Sequence, residues 1–148
     1  MSETKKGSLF LVSTPIGNLS DLSKRAVETL EAADLIACED TRRTGQLLKF
    51  IGVENKKLIR VDEHTEFKSK SQIVENIKNG LTVALVSDAG TPGISDPGEE
   101  LVKTVIENNC NVSVIPGASS VIAALVVSGI SMKRWVMEGF LPREGKDR

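Results

Sequence analysis

Three short segments of the 148-residue chain combine glycine, proline and small hydroxyl residues: 13–18 (STPIGN), 87–98 (SDAGTPGISDPG) and 116–120 (PGASS). Glycine lets a ligand approach the backbone, proline stiffens a turn, and hydroxyls and free N–H groups supply hydrogen bonds. That is chemistry for holding a ligand. One such segment is an ordinary strand-to-helix loop. Three of them on one edge of a sheet point to a shared crevice. The segments contain neither GxGxxG nor GxxxxGK[ST], so they are not a dinucleotide fingerprint or a phosphate loop.

Charged groups cluster near these segments. Asp88 follows the fourth apolar run directly, and Asp40 follows the second. Arg42 and Arg43 come next in CEDTRRT (38–44), opening a stretch in which six basic residues face Glu54 alone. Adjacent arginines after a strand end suit bidentate contact with phosphate, whereas Lys49, Lys56 and Lys57 read as a solvated helix face. Lys24 and Arg25 are weaker phosphate candidates near the first loop. His64 is the only histidine, and Cys38 and Cys110 are the only cysteines. A zinc site needs three or four such ligands, so no metal is expected. The cysteines read as reduced thiols in or near the core of a cytoplasmic protein.

The elements that must position these residues follow from periodicity. Short apolar runs at 8–13, 34–38, 58–61, 82–87 and 111–115 read as strands. Between them lie helical faces: Leu22, Ala26, Val27 and Leu30; Leu47, Leu48 and Ile51; Ile73, Val74 and Ile77; Leu101, Val102, Val105 and Ile106. Val121, Ile122, Leu125 and Val126 make a fifth helix, apolar nearly all round and expected to be buried. Ser20, Asp40 or Thr41, and Asp96 are expected N-caps, and Gly80 and Gly129 helix ends. Five βα units imply an α/β fold: a five-stranded, mostly parallel sheet with helices on both faces. Ligands of such sheets bind outside the carboxyl ends of the strands, where all three segments fall.

Composition bounds the rest. The length suits one domain, and 40% hydrophobic with 26% charged residues is ordinary for a globular chain. A net charge of −1 excludes a globally basic nucleic-acid binder. Aromatics are 3%, too few for a base-stacking sheet of the RNA-recognition-motif type. No targeting segment is visible, and the longest apolar stretch, VIAALVV (121–127), is far short of a membrane span.

The ordered motifs TPIGNLSDLSKRA (14–26), CEDTRRT (38–44), LVSDAGTPGISDPG (85–98), IPGASS (115–120) and GFLPR (139–143) resemble the tetrapyrrole methylase superfamily. Within it, they resemble the branch that methylates the ribose 2′-hydroxyl of small-subunit ribosomal RNA. The resemblance implies S-adenosylmethionine as cofactor, held in a cleft between two domains, and a homodimer. It implies a disordered 1–6, a cofactor-binding domain at 7–138, and a linker at 139–148 leading to a second domain that this chain lacks. The chain alone is therefore expected to be inactive. By motif, the cofactor residues are Thr14, Pro15, Ile16 and Gly17; Gly90, Thr91, Pro92 and Ile94; and Ser119 and Ser120. Thr91 stands where many members carry an acid, which favours the RNA branch over the corrin methylases. The ribose hydroxyl is a weak nucleophile, so a general base would help. Asp88 and His64 are the candidates, with a capping role preferred for Asp40. Arg42, Arg43, Lys24 and Arg25 would contact RNA. Other acceptors, a tetrapyrrole or a protein, and a non-catalytic RNA-binding or dimerisation module are the alternatives.

Overall fold

The computed structural model describes residues 7–61 and 66–140. Five strands, β1 (Ser8–Val12), β2 (Leu35–Cys38), β3 (Leu58–Arg60), β4 (Thr82–Val86) and β5 (Asn111–Ile115), match the five apolar runs closely. Five helices connect and follow them: α1 (Lys24–Ala32), α2 (Thr41–Phe50), α3 (Glu66–Lys78), α4 (Glu99–Glu107) and α5 (Ser120–Val127). The strand order is β3-β2-β4-β1-β5, and every pairing is parallel.

Side chains alternate across the strands, and each face builds its own core. Leu9, Leu35, Ala37, Val83 and Leu85 pack with Ile73 and Ile77 of α3 and Leu101 and Val105 of α4. Val12, Ile36, Cys38, Ala84 and Val86 pack with Ala26 and Leu30 of α1 and Leu48 of α2. Handedness explains the division. The chain moves one way along the sheet through α1 and α2 and the other way through α3 and α4. Right-handed crossovers then put the two pairs on opposite faces.

Three capping expectations hold and two do not. Asp40 caps α2, its Oδ1 accepting from Arg42 N–H at 2.8 Å. Gly80 (φ +89) ends α3, its N–H donating to the Ile77 carbonyl, and Gly129 (φ +71) follows α5. The cap of α1 is Ser23, not Ser20, with Ala26 N–H donating to Ser23 Oγ at 3.1 Å. Asp96 does not cap α4. That helix starts at Glu99, and its N-cap is Gly98 at φ +137 with no side-chain cap bond. Gly98 holds a φ that L-residues rarely adopt, and a Cβ there would stand 2.8 Å from Leu85 Cδ2, so a side chain at this turn would be strained.

The fifth helix is a larger departure. None of its residues is buried, and Val126 and Val127 are 64% and 84% exposed. It follows β5, the edge strand, and among the described residues no further strand-helix unit covers it. Periodicity reports an all-apolar helix but not what covers it. Residues 1–6, expected to be disordered, and 141–148 of the expected linker lie outside the described residues. Among the described residues, no helix is long and apolar enough to cross a membrane.

Candidate active site at the carboxyl edge of the sheet

β1 and β4 are neighbours, yet the chain leaves them toward opposite faces, into α1 and α4. Their carboxyl ends therefore form a topological switch point, the usual ligand crevice of an open α/β sheet. Here the two departing loops are stitched together. Thr14 N–H donates to the Gly90 carbonyl at 2.9 Å, and Gly90 N–H to the Thr14 carbonyl at 3.1 Å. Hydroxyls reinforce the stitch. Ser13 Oγ and Thr91 Oγ1 are 2.8 Å apart, Thr14 Oγ1 donates to the Ser87 carbonyl, and Thr91 Oγ1 donates to the Ala118 carbonyl. All three segments are thus tied into one rim. Ser13, Thr14 and Ser87 are buried in the process, and their hydrogen bonds offset the cost of burying a hydroxyl.

Two cavities flank this stitch. The larger, about 420 Å³, lies toward α2 and is lined by Thr14, Pro15, Gly17, Arg43 and Asp88, together with the outer face of α2. The smaller, about 220 Å³, is lined by Gly90, Thr91, Ile94, Ser119 and Ser120, together with Asp96 and Phe140. Thr14 belongs to one lining and Gly90 to the other, so their bridge is the partition. Ile16 sits over the partition, with its Cγ2 3.4 Å from where a Gly90 Cβ would be. Pro92 is buried behind the rim.

The sequence-based site residues therefore divide. Arg43 and Asp88 meet: Arg43 Nη1 is 3.2 Å from Asp88 Oδ2. Asp88 Oδ1 is buried and has no hydrogen-bond partner among the described residues. Arg42 turns back onto its own helix cap, with Nη2 3.0 Å from Asp40 Oδ2. That pairing and the cap bonds pull the Asp40 carboxyl down to about 2, which makes it a poor proton acceptor. Lys24, exposed on α1, pairs with Glu28, and Arg25 is also exposed. Both lie outside the two cavity linings. His64 lies outside the described residues.

Several residues of the site escape sequence reasoning. Asp96, read as a cap, lines the smaller cavity instead. Glu39, half-buried at the end of β2, has its carboxyl pushed up by burial, with Asp88 and Asp96 adding to the shift. Leu47, grouped with the core face of α2, faces the larger cavity with Gln46 and Phe50. The spacing Arg43, Gln46, Leu47, Phe50 is one helix face and was legible as such. What the sequence hides is that α2 has a second lined face beside the Thr44 and Leu48 face. Burial also pushes the Cys38 thiol up, and Cys110 is partly buried; both cysteines are free.

The family profile described as "Tetrapyrrole (Corrin/Porphyrin) Methylases" matches residues 8–144. The chain belongs to the tetrapyrrole methylase family. Its relatives include a protein of Synechocystis sp. named ribosomal RNA small subunit methyltransferase I, 49% identical over 96% of this chain and 50% of the relative. A protein of the same name from Escherichia coli O157:H7 is 44% identical over 99% of this chain and 51% of that relative. The chain thus spans about half the length of the curated relatives it matches. Among solved structures, a diphthine synthase superposes with TM-score 0.64 at 18% identity, over 84% of this chain and 49% of that one. A uroporphyrin-III-C-methyltransferase from Thermus thermophilus superposes with TM-score 0.61 at 21% identity, over 86% and 54%. These likenesses establish the tetrapyrrole methylase fold.

S-adenosylmethionine is the general cofactor of methyltransferases in this family, and the smaller cavity suits part of it. Gly90 at φ +83 leaves open the space a Cβ would take between Ile16 and Ala118. Thr91, Ser119, Ser120 and Asp96 offer hydroxyl and carboxylate partners, and Ile94 offers apolar cover. No side chain caps the first turn of α5, so its N–H groups are available to a ligand.

Proposed function

We propose that this chain is the cofactor-binding half of an S-adenosylmethionine-dependent methyltransferase acting on small-subunit ribosomal RNA, at the 2′-hydroxyl of a cytidine ribose. The observation that carries the reading is the pair of cavities sharing the Thr14–Gly90 wall. Group transfer needs a donor site and an acceptor site side by side, and the linings differ as those roles require. The relatives' names direct the choice of acceptor, and the motif resemblance directs the choice of atom and nucleotide.

When bound, S-adenosylmethionine supplies a methyl on a sulfonium. The smaller cavity would hold it through Gly90, Thr91, Ile94, Ser119, Ser120 and Asp96. A volume of 220 Å³ is below the range of about 300–1,000 Å³ typical of complete small-molecule sites. Residues beyond these loops would complete the cover. At the rim of the larger cavity, where the two cavities meet beside the Thr14–Gly90 stitch, the Asp88 carboxylate would turn to bring Oδ1 out of burial and accept the hydrogen of the ribose hydroxyl. Arg43 would orient Asp88 and meet the RNA backbone. Positioning of this kind lowers a barrier by roughly 7–11 kcal/mol, and a general base contributes about 10²–10⁴-fold. The expected homodimer, with its surface around α5, and a cytoplasmic location complete the reading.

The test is transfer of a labelled methyl group by the full-length protein to small ribosomal subunits lacking the modification. Label recovered as a 2′-O-methylated cytidine supports the reading. Transfer to a corrin precursor or to protein, with none to subunits, would overturn it in favour of a same-fold enzyme. RNA binding without any transfer would favour the non-catalytic module.

A further inference from the structure

The outer half of the larger cavity is not needed for contact with a ribose. Four residues of α2 spaced as one face, Arg43, Gln46, Leu47 and Phe50, run from the Asp88 pair to the cavity mouth. Leu19, in the short 3-10 turn Leu19–Asp21, faces them from the first loop. Phe50 is 63% exposed and Leu19 44% exposed. Single exposed apolar residues are common and need no explanation. Here three apolar side chains line one slot, and one is among only five aromatic residues of the chain, four Phe and one Trp. The slot has a polar residue, Gln46, within it and a guanidinium, Arg43, at its inner end. From Arg43 to Phe50 the helix advances by about 10 Å, the scale of one nucleotide.

We propose that this slot is a nucleobase pocket for a base splayed out of single-stranded RNA. Phe50, with Leu47 beside it on the same helix face, stacks on one face of the base, Leu19 covers the other from the first loop, and Gln46 hydrogen-bonds its edge. The proposal rests on the ribose reading of the inner cavity and extends it. A ribose delivered to Asp88 must leave the helical stack, and its own base then needs a new apolar surface. Single-stranded RNA is commonly read in this way, by aromatic stacking and hydrogen bonds to base edges. The low overall aromatic content excludes a stacking sheet but leaves room for one stacking side chain.

The experiment uses the full-length protein with Phe50→Ala, Phe50→Leu and Phe50→Trp. It measures affinity for a short labelled single-stranded RNA, affinity for S-adenosylhomocysteine, and methyl transfer to unmodified small subunits. Phe50→Ala and Phe50→Leu are expected to weaken RNA binding roughly tenfold, the size of one lost base–aromatic stack. KM for the subunits should rise more than kcat falls, and S-adenosylhomocysteine affinity should stay unchanged. Phe50→Trp should restore RNA binding, which a merely apolar role would not require. RNA affinity within twofold of wild type for Phe50→Ala overturns the pocket, while methyl transfer by the same samples leaves the methyltransferase reading standing. Phe50-dependent RNA binding without any transfer does the reverse. A wild-type protein with no RNA affinity overturns both.

Discussion

Arg43 Nη1 lies 3.2 Å from Asp88 Oδ2, joining the first turn of α2 to the loop after β4 across the carboxyl edge of the sheet. The two residues follow neighbouring strands, β2 and β4, so the pairing is a consequence of strand order. It occupies one carboxylate oxygen and leaves the other, Oδ1, buried without a partner among the described residues, beside the larger cavity. A buried acceptor lacking a donor costs about 1–3 kcal/mol. A substrate hydroxyl is a donor for it once the carboxylate turns toward the cavity.

Asp88→Asn keeps the shape of the side chain and removes the acceptor charge. In the full-length protein, kcat for methyl transfer is expected to fall by about 10²-fold or more, with S-adenosylhomocysteine affinity unchanged. Arg43→Ala should raise KM for RNA more strongly than it lowers kcat, and should reduce the salt dependence of RNA binding. Full turnover by Asp88→Asn would remove Asp88 from the chemistry.

Asp96 distinguishes a cap from a ligand partner. A cap removed would destabilise α4, whereas Gly98 already occupies the cap position. Asp96→Ala is therefore expected to leave the melting temperature unchanged and to weaken S-adenosylhomocysteine binding roughly tenfold, as loss of a charged hydrogen bond does. Titration calorimetry and thermal unfolding on the same samples check both halves.

The strands, their loops and the division into two helical layers were legible because short β-branched runs and 3.6-residue spacing are local signals. Asp88 was legible because a strand end announces itself. Asp96 does not cap α4 although Asp-Pro-Gly-Glu is a sound capping pattern, because Gly98 stands at φ +137, outside the helical region, and moves the helix start to Glu99. Phe50 and Gln46 were missed because a helix pattern names one buried face, and the second face exists only where the first loop folds across it. α5 was misjudged because apolar composition does not say whether cover comes from the same domain.

Asp40 sets an acid-side dependence. Its folded value, about 2, lies below the ordinary 3.8, so the cap and the Arg42 contact stabilise the fold above that ordinary value. The contribution is lost as pH falls from about 4 toward 2. Asp40→Asn keeps a good capping acceptor but cannot titrate. Stability curves of wild type and variant should therefore converge as pH drops through that window, and a constant gap would contradict the assignment.

Two glycines predict opposite signs. Gly90 has φ +83, and an added Cβ would touch Ile16 Cγ2 at 3.4 Å and fill the space left open there. Gly90→Ala should destabilise by about 1–2 kcal/mol, the cost of an L-residue in the left-handed region, and should weaken cofactor binding. Gly45 lies inside α2 with nothing within 4 Å of its added Cβ. Gly45→Ala should stabilise by about 1 kcal/mol through helix propensity. Denaturant unfolding of the two variants measures both.

The exposed face of α5 supports the expected homodimer. Ile122 and Val126 are one turn apart on a helix with no buried residue, and Val114 on the neighbouring edge strand is 50% exposed. Covering the exposed half of each such side chain contributes about 1 kcal/mol, and a parallel edge strand followed by an apolar helix is a ready template for association. We expect the full-length protein to sediment as a dimer and Ile122→Asp with Val126→Asp to sediment as a monomer that keeps its circular dichroism. If the double variant remains a dimer yet loses thermal stability, the helix is instead covered within one chain, by residues the relatives carry beyond the matched half. A folded, stable dimer unchanged by both charges would remove α5 from any interface.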